Sequence, residues 1–302
     1  MIATANRLLA ALLILVGLAA PSAAQPRDDG YGVLVMAHGG GQAWNREVET
    51  MLAPLRRDYR LEIAFGMADA TTMEAAVRRL EAQGVRRIGV VRLFISGESW
   101  RERTEQIFGL RAGAPPRPAG DHADHGAHAG HSMALWRIDS PARFALSDEG
   151  LAAAPEMGAV LADRVRALSR DPARESILIL AHGPEDNAEN ERWLRLIGQR
   201  AEAVRAMAPF RTVQVESLRE DWPEKRTASE ARIRAFAQQA AANGGQLIVI
   251  PYRVAGFGPY ARVLEGVTYA ADQRGLVPSA QVEQWVRRQA ETLRATLARP
   301  GA

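Results

Sequence analysis

The stretch VLVMAHGGG spans Val33–Gly41. Four apolar residues and an alanine lead directly into a histidine, and three glycines follow. The pattern returns as ILILAHGP at Ile177–Pro184, which places His38 and His182 almost half the chain apart. A short unbroken apolar run reads as a strand covered on both faces, the kind found in parallel sheets. Val33–Met36 and Ile177–Leu180 are therefore read as equivalent buried strands, each ending at a histidine on a glycine-containing turn.

Working outward, each strand is followed by the same series of elements. In the first half, Trp44–Arg57 has helical apolar spacing and Leu61–Phe65 is a strand. Thr71 and Glu74 have capping-box spacing and open a helix through Ala82, and Ile88–Ile95 is a third strand. A strand at Ala134–Ile138 and a helix at Leu151–Leu168 complete this half. In the second half, Ile177–Leu180, Thr212–Leu218 and Leu247–Pro251 are strands, with helices at Glu189–Met207 and Ala228–Ala242. Apolar strands alternating with helices predict an α/β architecture: two tandem similar domains, each a mainly parallel sheet with helices on both faces, and a cleft between them. The boundary falls near Arg170–Pro172, which divides the chain into 25–170 and 171–302.

Two segments stand outside the repeat. Arg7, the apolar run Leu8–Leu18 and Ser22-Ala23-Ala24 have the order of a secretory signal, so residues 1–24 are expected to be cleaved and the protein to be periplasmic or secreted. That run is too short for a comfortable membrane span, so contact with a membrane is expected only through this segment. The insertion at 112–132 begins proline-rich and ends in GDHADHGAHAGH, with His122, His125, His128 and His131. Four of the six histidines fall here, on a chain that cannot build a core, and imidazoles with carboxylates on such a chain can collect divalent transition metals.

The 302 residues carry a formal charge of only +3, which does not imply a nucleic-acid stripe, and no nucleic-acid partner is expected. No cysteine is present, so disulfides, thiolate metal sites and cysteine nucleophiles are excluded. Ser96, Ser99 and Ser217 lack a nucleophile-elbow pattern, the dinucleotide fingerprint is missing, and no organic cofactor is expected. Nothing in the chain fixes an oligomeric state. In parallel α/β sheets, ligands bind beyond the carboxyl ends of the strands. His38 and His182 lie there, and imidazole can hold a first-row metal or move protons near neutral pH. Trp44 and Trp222 follow strand ends, where a flat ring could stack, although packing is the commoner role. Trp136, Trp193 and Trp285 read as packing residues.

The AHG turn, IAFGMADATTMEAAV (Ile63–Val77), VVRLFISG (Val90–Gly97) and FALSDEGLAAAPEMGAVLADRV (Phe144–Val165) together resemble the class II chelatases of the sirohydrochlorin cobaltochelatase/ferrochelatase (CbiX/SirB-like) type. The resemblance covers most of Tyr31–Leu168 and, more weakly, Ser176–Leu293. It implies two chelatase-like domains and insertion of Co²⁺, Fe²⁺ or Ni²⁺ into sirohydrochlorin or a related tetrapyrrole. LREDWPE (Leu218–Glu224) resembles the family's acidic segment, which implies an assisting role for Glu220; Asp69 or Glu98 would be its counterpart in the first half. Metal binding or proton transfer falls to His38 and His182. A polycarboxylated substrate calls for arginines, and Arg92, Arg101, Arg103 and Arg253 lie in or after the third strands. The family's second histidine is replaced by Ser99 in one half and Gly258 in the other. That substitution and the export signal leave a second expectation: a non-catalytic periplasmic protein that binds metal or tetrapyrrole.

Overall fold

The computed structural model describes residues 29–118 and 133–299. The expected signal segment and His122, His125, His128 and His131 lie outside the described residues. Two four-stranded, wholly parallel sheets form the frame, in the orders β2-β1-β3-β4 and β6-β5-β7-β8. Strands β1 (Tyr31–Ala37) and β5 (Glu175–Ala181) are central, and all seven residues of each are buried. The remaining first-sheet strands are β2 (Arg60–Phe65), β3 (Arg87–Leu93) and β4 (Arg143–Leu146). In the second sheet they are β6 (Thr212–Ser217), β7 (Gln246–Tyr252) and β8 (Ala270–Ala271). This is the two-lobed, parallel α/β architecture expected from the apolar strand runs.

Helices cover both faces of each sheet. On the outer face of the first sheet, α2 (Ala70–Ala82) and α3 (Arg101–Ile107) bury Met73, Val77, Leu80 and Ile107 against Leu34 and Met36. On the outer face of the second, α6 (Pro223–Ala241) and α7 (Tyr260–Val263) bury Ile233, Ala237 and Tyr260 against Leu178 and Leu180. The inner faces of both sheets share one core with α1 (Gln42–Leu52), α4 (Glu156–Leu168), α5 (Asn187–Arg205) and α8 (Ala280–Ala298). Val33, Val35, Ile177 and Ile179 all belong to it. Two helices pack outside their own half of the sequence. Helix α8 lies on β3 and β4 of the first sheet, and α4 packs on α5. Trp285 Nε1 donates to Glu149 at 2.8 Å, and Arg288 pairs with Glu149 and Glu156, fixing α8 against the first lobe.

Several local expectations change. Pro54 removes a helical donor, so α1 stops at Leu52 and tightens into a 3₁₀ turn over Ala53–Arg57. The cap of α2 is Asp69 rather than Thr71: its Oδ1 accepts from Thr72 N at 3.0 Å, and its Oδ2 accepts from Ala134 N at 3.1 Å. That second bond docks the chain at Ala134, and 134–138 forms no strand; its ladder contact is a single bridge between Pro116 and Arg137. The fourth strand is Arg143–Leu146 instead. Helix α4 begins only at Glu156, after Pro155, rather than at Leu151.

Candidate metal centre in the cleft between the lobes

The chain leaves β1 for β2 on one side and then β3 on the other, and it repeats this from β5. Such a reversal opens a crevice beyond the strand ends. The crevices of the two lobes form one cleft of about 840 Å³, lined by both AHG turns. His38, His182, Glu220 and Arg253 all line it. Trp44 and Trp222 line it as well, together with Trp193 and Trp100, neither of which is read as a cleft residue from the sequence.

The polar centre is in the second lobe. His182, Glu220 and Asp221 each bring a ligand atom within 4.8 Å of the other two. One neutral imidazole and two carboxylates form a donor set suited to a divalent first-row metal. The loops that carry them are tightly defined. Gly183 has φ +79°, and a Cβ there would lie 2.9 Å from both Arg219 Cδ and Ser217 Cβ, so the turn after His182 requires glycine. Arg219 adopts φ +58° and directs its guanidinium to Pro184 O, Glu185 O and the Asn187 side chain. Glu220 N donates to His182 O at 3.2 Å, which ties the two ligand loops together. The half-buried His182 ring stacks near-parallel on Trp222 (14°, centroids 6.4 Å) and meets Trp193 edge-on at 5.4 Å. Glu189 accepts from Trp193 Nε1 at 3.0 Å and fixes that indole.

Electrostatics favour a neutral His182. Burial pulls its pKa below the ordinary value, and Arg253 and His38 act in the same direction; the nearby Glu220 and Asp221 oppose them. Its Nδ1 is buried with no hydrogen-bond partner, and so is Glu220 Oε2. These two atoms offer lone pairs that nothing in the protein uses. The other Glu220 oxygen is engaged, since Oε1 accepts from Arg253 Nη1. The guanidinium of Arg253 also fills the space beside Gly258, where a Cβ would lie 2.8 Å from Arg253 Cζ. The position at which the resembling family carries its second histidine is therefore occupied in this lobe by a fixed positive charge.

The first lobe contributes less chemistry. His38 is exposed in the cleft, with Nδ1 2.9 Å from Gly39 O. Pairing of Ala37 with Phe65 and Leu93, and of Ala181 with Ser217 and Tyr252, sets the two lobes in register. By that register Ala68 stands at the place of Glu220, Asp69 at that of Asp221 and Phe94 at that of Arg253. Asp69 is consumed as the cap of α2, so it is not a cleft acid. Glu98 does line the cleft, but Arg192 of the second lobe binds it at 3.0 and 2.8 Å, closing one edge.

Two expected substrate-binding arginines are corrected. Arg92 is only 2 % exposed, and its guanidinium donates to Ser147 O, Ser99 O and Gly97 O. It ties the loop after β3 to the segment after β4; burial lowers its pKa to about 10, which leaves it charged at neutral pH. Arg101 lies outside the cleft lining and pairs with Glu105 and Asp148. Arg103 is likewise spent on Ala68 O and Met133 O. Of the four arginines, Arg253 alone lines the cleft.

Comparison with family profiles finds no match, and comparison with curated proteins finds none. Solved structures do match. SirB from Bacillus subtilis with Fe³⁺ aligns at a TM-score of 0.60 and 14% identity, covering 88% of this chain and 98% of that one. The sirohydrochlorin chelatase SirB from Bacillus subtilis subspecies spizizenii, in complex with cobalt, aligns at 0.55 and 14% with the same coverage. CbiX, the terminal enzyme for biosynthesis of siroheme in denitrifying bacteria, aligns at 0.52 and 17%, covering 88% and 99%.

Proposed function

We infer, from a class II chelatase-like fold that runs along nearly the whole length of those structures, a chelatase-like protein that holds a divalent metal and passes it to a tetrapyrrole in the cleft. The observation that carries this reading is the His182–Glu220–Asp221 cluster at the strand ends, with two unused buried lone pairs. Insertion exchanges one metal cation for two pyrrole N–H protons. His182, kept neutral, serves as the metal ligand, while Glu220 and Asp221 offset the metal's charge. His38, exposed on the opposing lobe, takes protons from the other face of the ring. Co²⁺, Fe²⁺ and Ni²⁺ all suit this donor set. The proposal includes export through residues 1–24 and metal collection by the histidine-rich insertion.

The test is direct. The mature protein, a free-base tetrapyrrole and Co²⁺ are mixed, and insertion is followed by absorbance. Acceleration that disappears in His182→Ala supports the proposal; no acceleration over the metal-only control rejects insertion. Binding without insertion is the second reading, favoured by Arg253 standing on Glu220 and by Ser99 and Gly258 at the second-histidine positions. It predicts saturable Co²⁺ binding with no change in turnover.

A further inference from the structure

This inference rests on the tetrapyrrole reading and narrows it. We propose that the cleft selects a flat macrocycle bearing few carboxylates and disfavours heavily carboxylated ones. The first observation is charge. Six carboxylates line the cleft, those of Glu98, Glu185, Asp186, Glu189, Glu220 and Asp221. Lys225 and Arg253 are the cations among its described lining residues, and both are engaged. Arg253 lies on Glu220, and Lys225 Nζ donates to Glu185 O. The neighbouring arginines are committed too: Arg192 to Glu98, and Arg219 to backbone carbonyls and Asn187. The acidity is local, because the whole chain is net positive. A polycarboxylate entering here meets six carboxylates against two lining cations, one of them already paired with Glu220, and juxtaposed like charges suppress a wrong partner. The same carboxylates draw in a metal cation.

The second observation is the aromatic surface. Trp44, Trp100 and Trp222 line the same cleft and are at least partly exposed, with the buried Trp193 and Phe94 behind them. Trp100 is held at φ +58° and is 36% exposed, both unusual for a residue that large. Indole faces bind a flat conjugated ring through dispersion and stacking, whatever the charge at the ring's edge. The cleft therefore recognises the macrocycle by its face, and it repels one whose rim is crowded with carboxylates.

Two free-base probes of equal ring size test this with the full mature chain: a porphyrin dicarboxylate and a porphyrin octacarboxylate, titrated against tryptophan fluorescence. At low salt the dicarboxylate is expected to bind at least about 10-fold tighter. The gap should narrow in about 0.5 M salt, where the screening length drops to a few ångströms. It should also narrow in Glu185→Gln, and Trp222→Ala should weaken the dicarboxylate. An octacarboxylate that binds as tightly or more tightly at low salt overturns this inference and leaves the tetrapyrrole reading standing. A preference unmoved by salt and by Glu185→Gln comes from ring hydrophobicity and overturns the charge argument. Quenching by neither probe rejects the tetrapyrrole reading, and this inference with it.

Discussion

The two lobes share a frame and differ in chemistry. Gly39 and Gly183 both have φ +79°, and Met67 and Arg219, matched in register, have φ 61° and 58°. The left-handed backbone at the strand ends is thus duplicated. The side chains are not: His182, Glu220 and Arg253 stand at the register positions that His38, Ala68 and Phe94 hold in the first lobe. One lobe is a donor set and the other mainly an aromatic wall with an exposed imidazole. Duplication provides two equivalent crevices, but a ligand lying between them touches each from a different side. Each lobe is then free to specialise: the second holds the cation, and both lend tryptophans to the ring.

The strongest way to break this comparison is to remove the donor set. Glu220→Ala should lower Co²⁺ affinity by at least about 100-fold, since even outer partners of a metal site are worth 10–100-fold. Titration calorimetry reads this directly. Ala68→Glu should not create a matching site, because Asp69 is committed to the α2 cap and Phe94 stands where Arg253 would be. If His38→Ala weakened Co²⁺ as much as Glu220→Ala, the metal would belong to both lobes and the division of labour would fail.

Next comes the frame itself. Gly183→Ala forces an L-residue into the left-handed region, costing about 1–2 kcal/mol. The new methyl also meets Arg219 and Ser217 at 2.9 Å. Denaturant unfolding should show the loss, and metal affinity should fall with it, because Arg219 braces the His182 loop. Unchanged stability would mean that the AHG turn tolerates a second geometry.

A smaller, opposite effect is expected at Arg253. Its guanidinium opposes a divalent cation on Glu220, so Arg253→Ala should raise Co²⁺ affinity about 10-fold, while Arg253→Lys, which keeps the charge, should not. If Arg253→Ala weakened Co²⁺ instead, the arginine would be orienting Glu220 for the metal rather than competing with it.

The frame was legible because parallel strands are long apolar runs and because the AHG turn occurs twice. His38 and His182 are placed at the cleft by their position just beyond strand ends, where the topology opens a crevice, and Glu220 by the resemblance of LREDWPE to the family's acidic segment. Arg92 misled, because an arginine in an apolar strand looks the same in sequence whether it faces a cleft or three carbonyl oxygens. Asp221 and Trp193 were not legible as site residues: one follows a residue already assigned, and the other has the helical spacing of a core tryptophan. The crossing of α8 to the first sheet was hidden for a different reason. An amphipathic stripe states that a helix is covered, not by which sheet.

The smallest effect is the pH dependence that His182 brings to stability. Burial holds the His182 pKa below its ordinary value of 6.5. The unfolded chain therefore takes up this proton before the folded one does, so the stabilising contribution is complete above about pH 6.5 and declines as pH falls toward the lowered folded value. One such group changes the folding equilibrium by at most about tenfold per pH unit within that window. Unfolding free energies measured from pH 7 to 5 should therefore fall more steeply for the wild type than for His182→Gln. Parallel slopes for the wild type and His182→Gln would mean that burial does not disfavour the charged form of His182, and the electrostatic contrast between the lobes would rest on Glu220 and Arg253 alone.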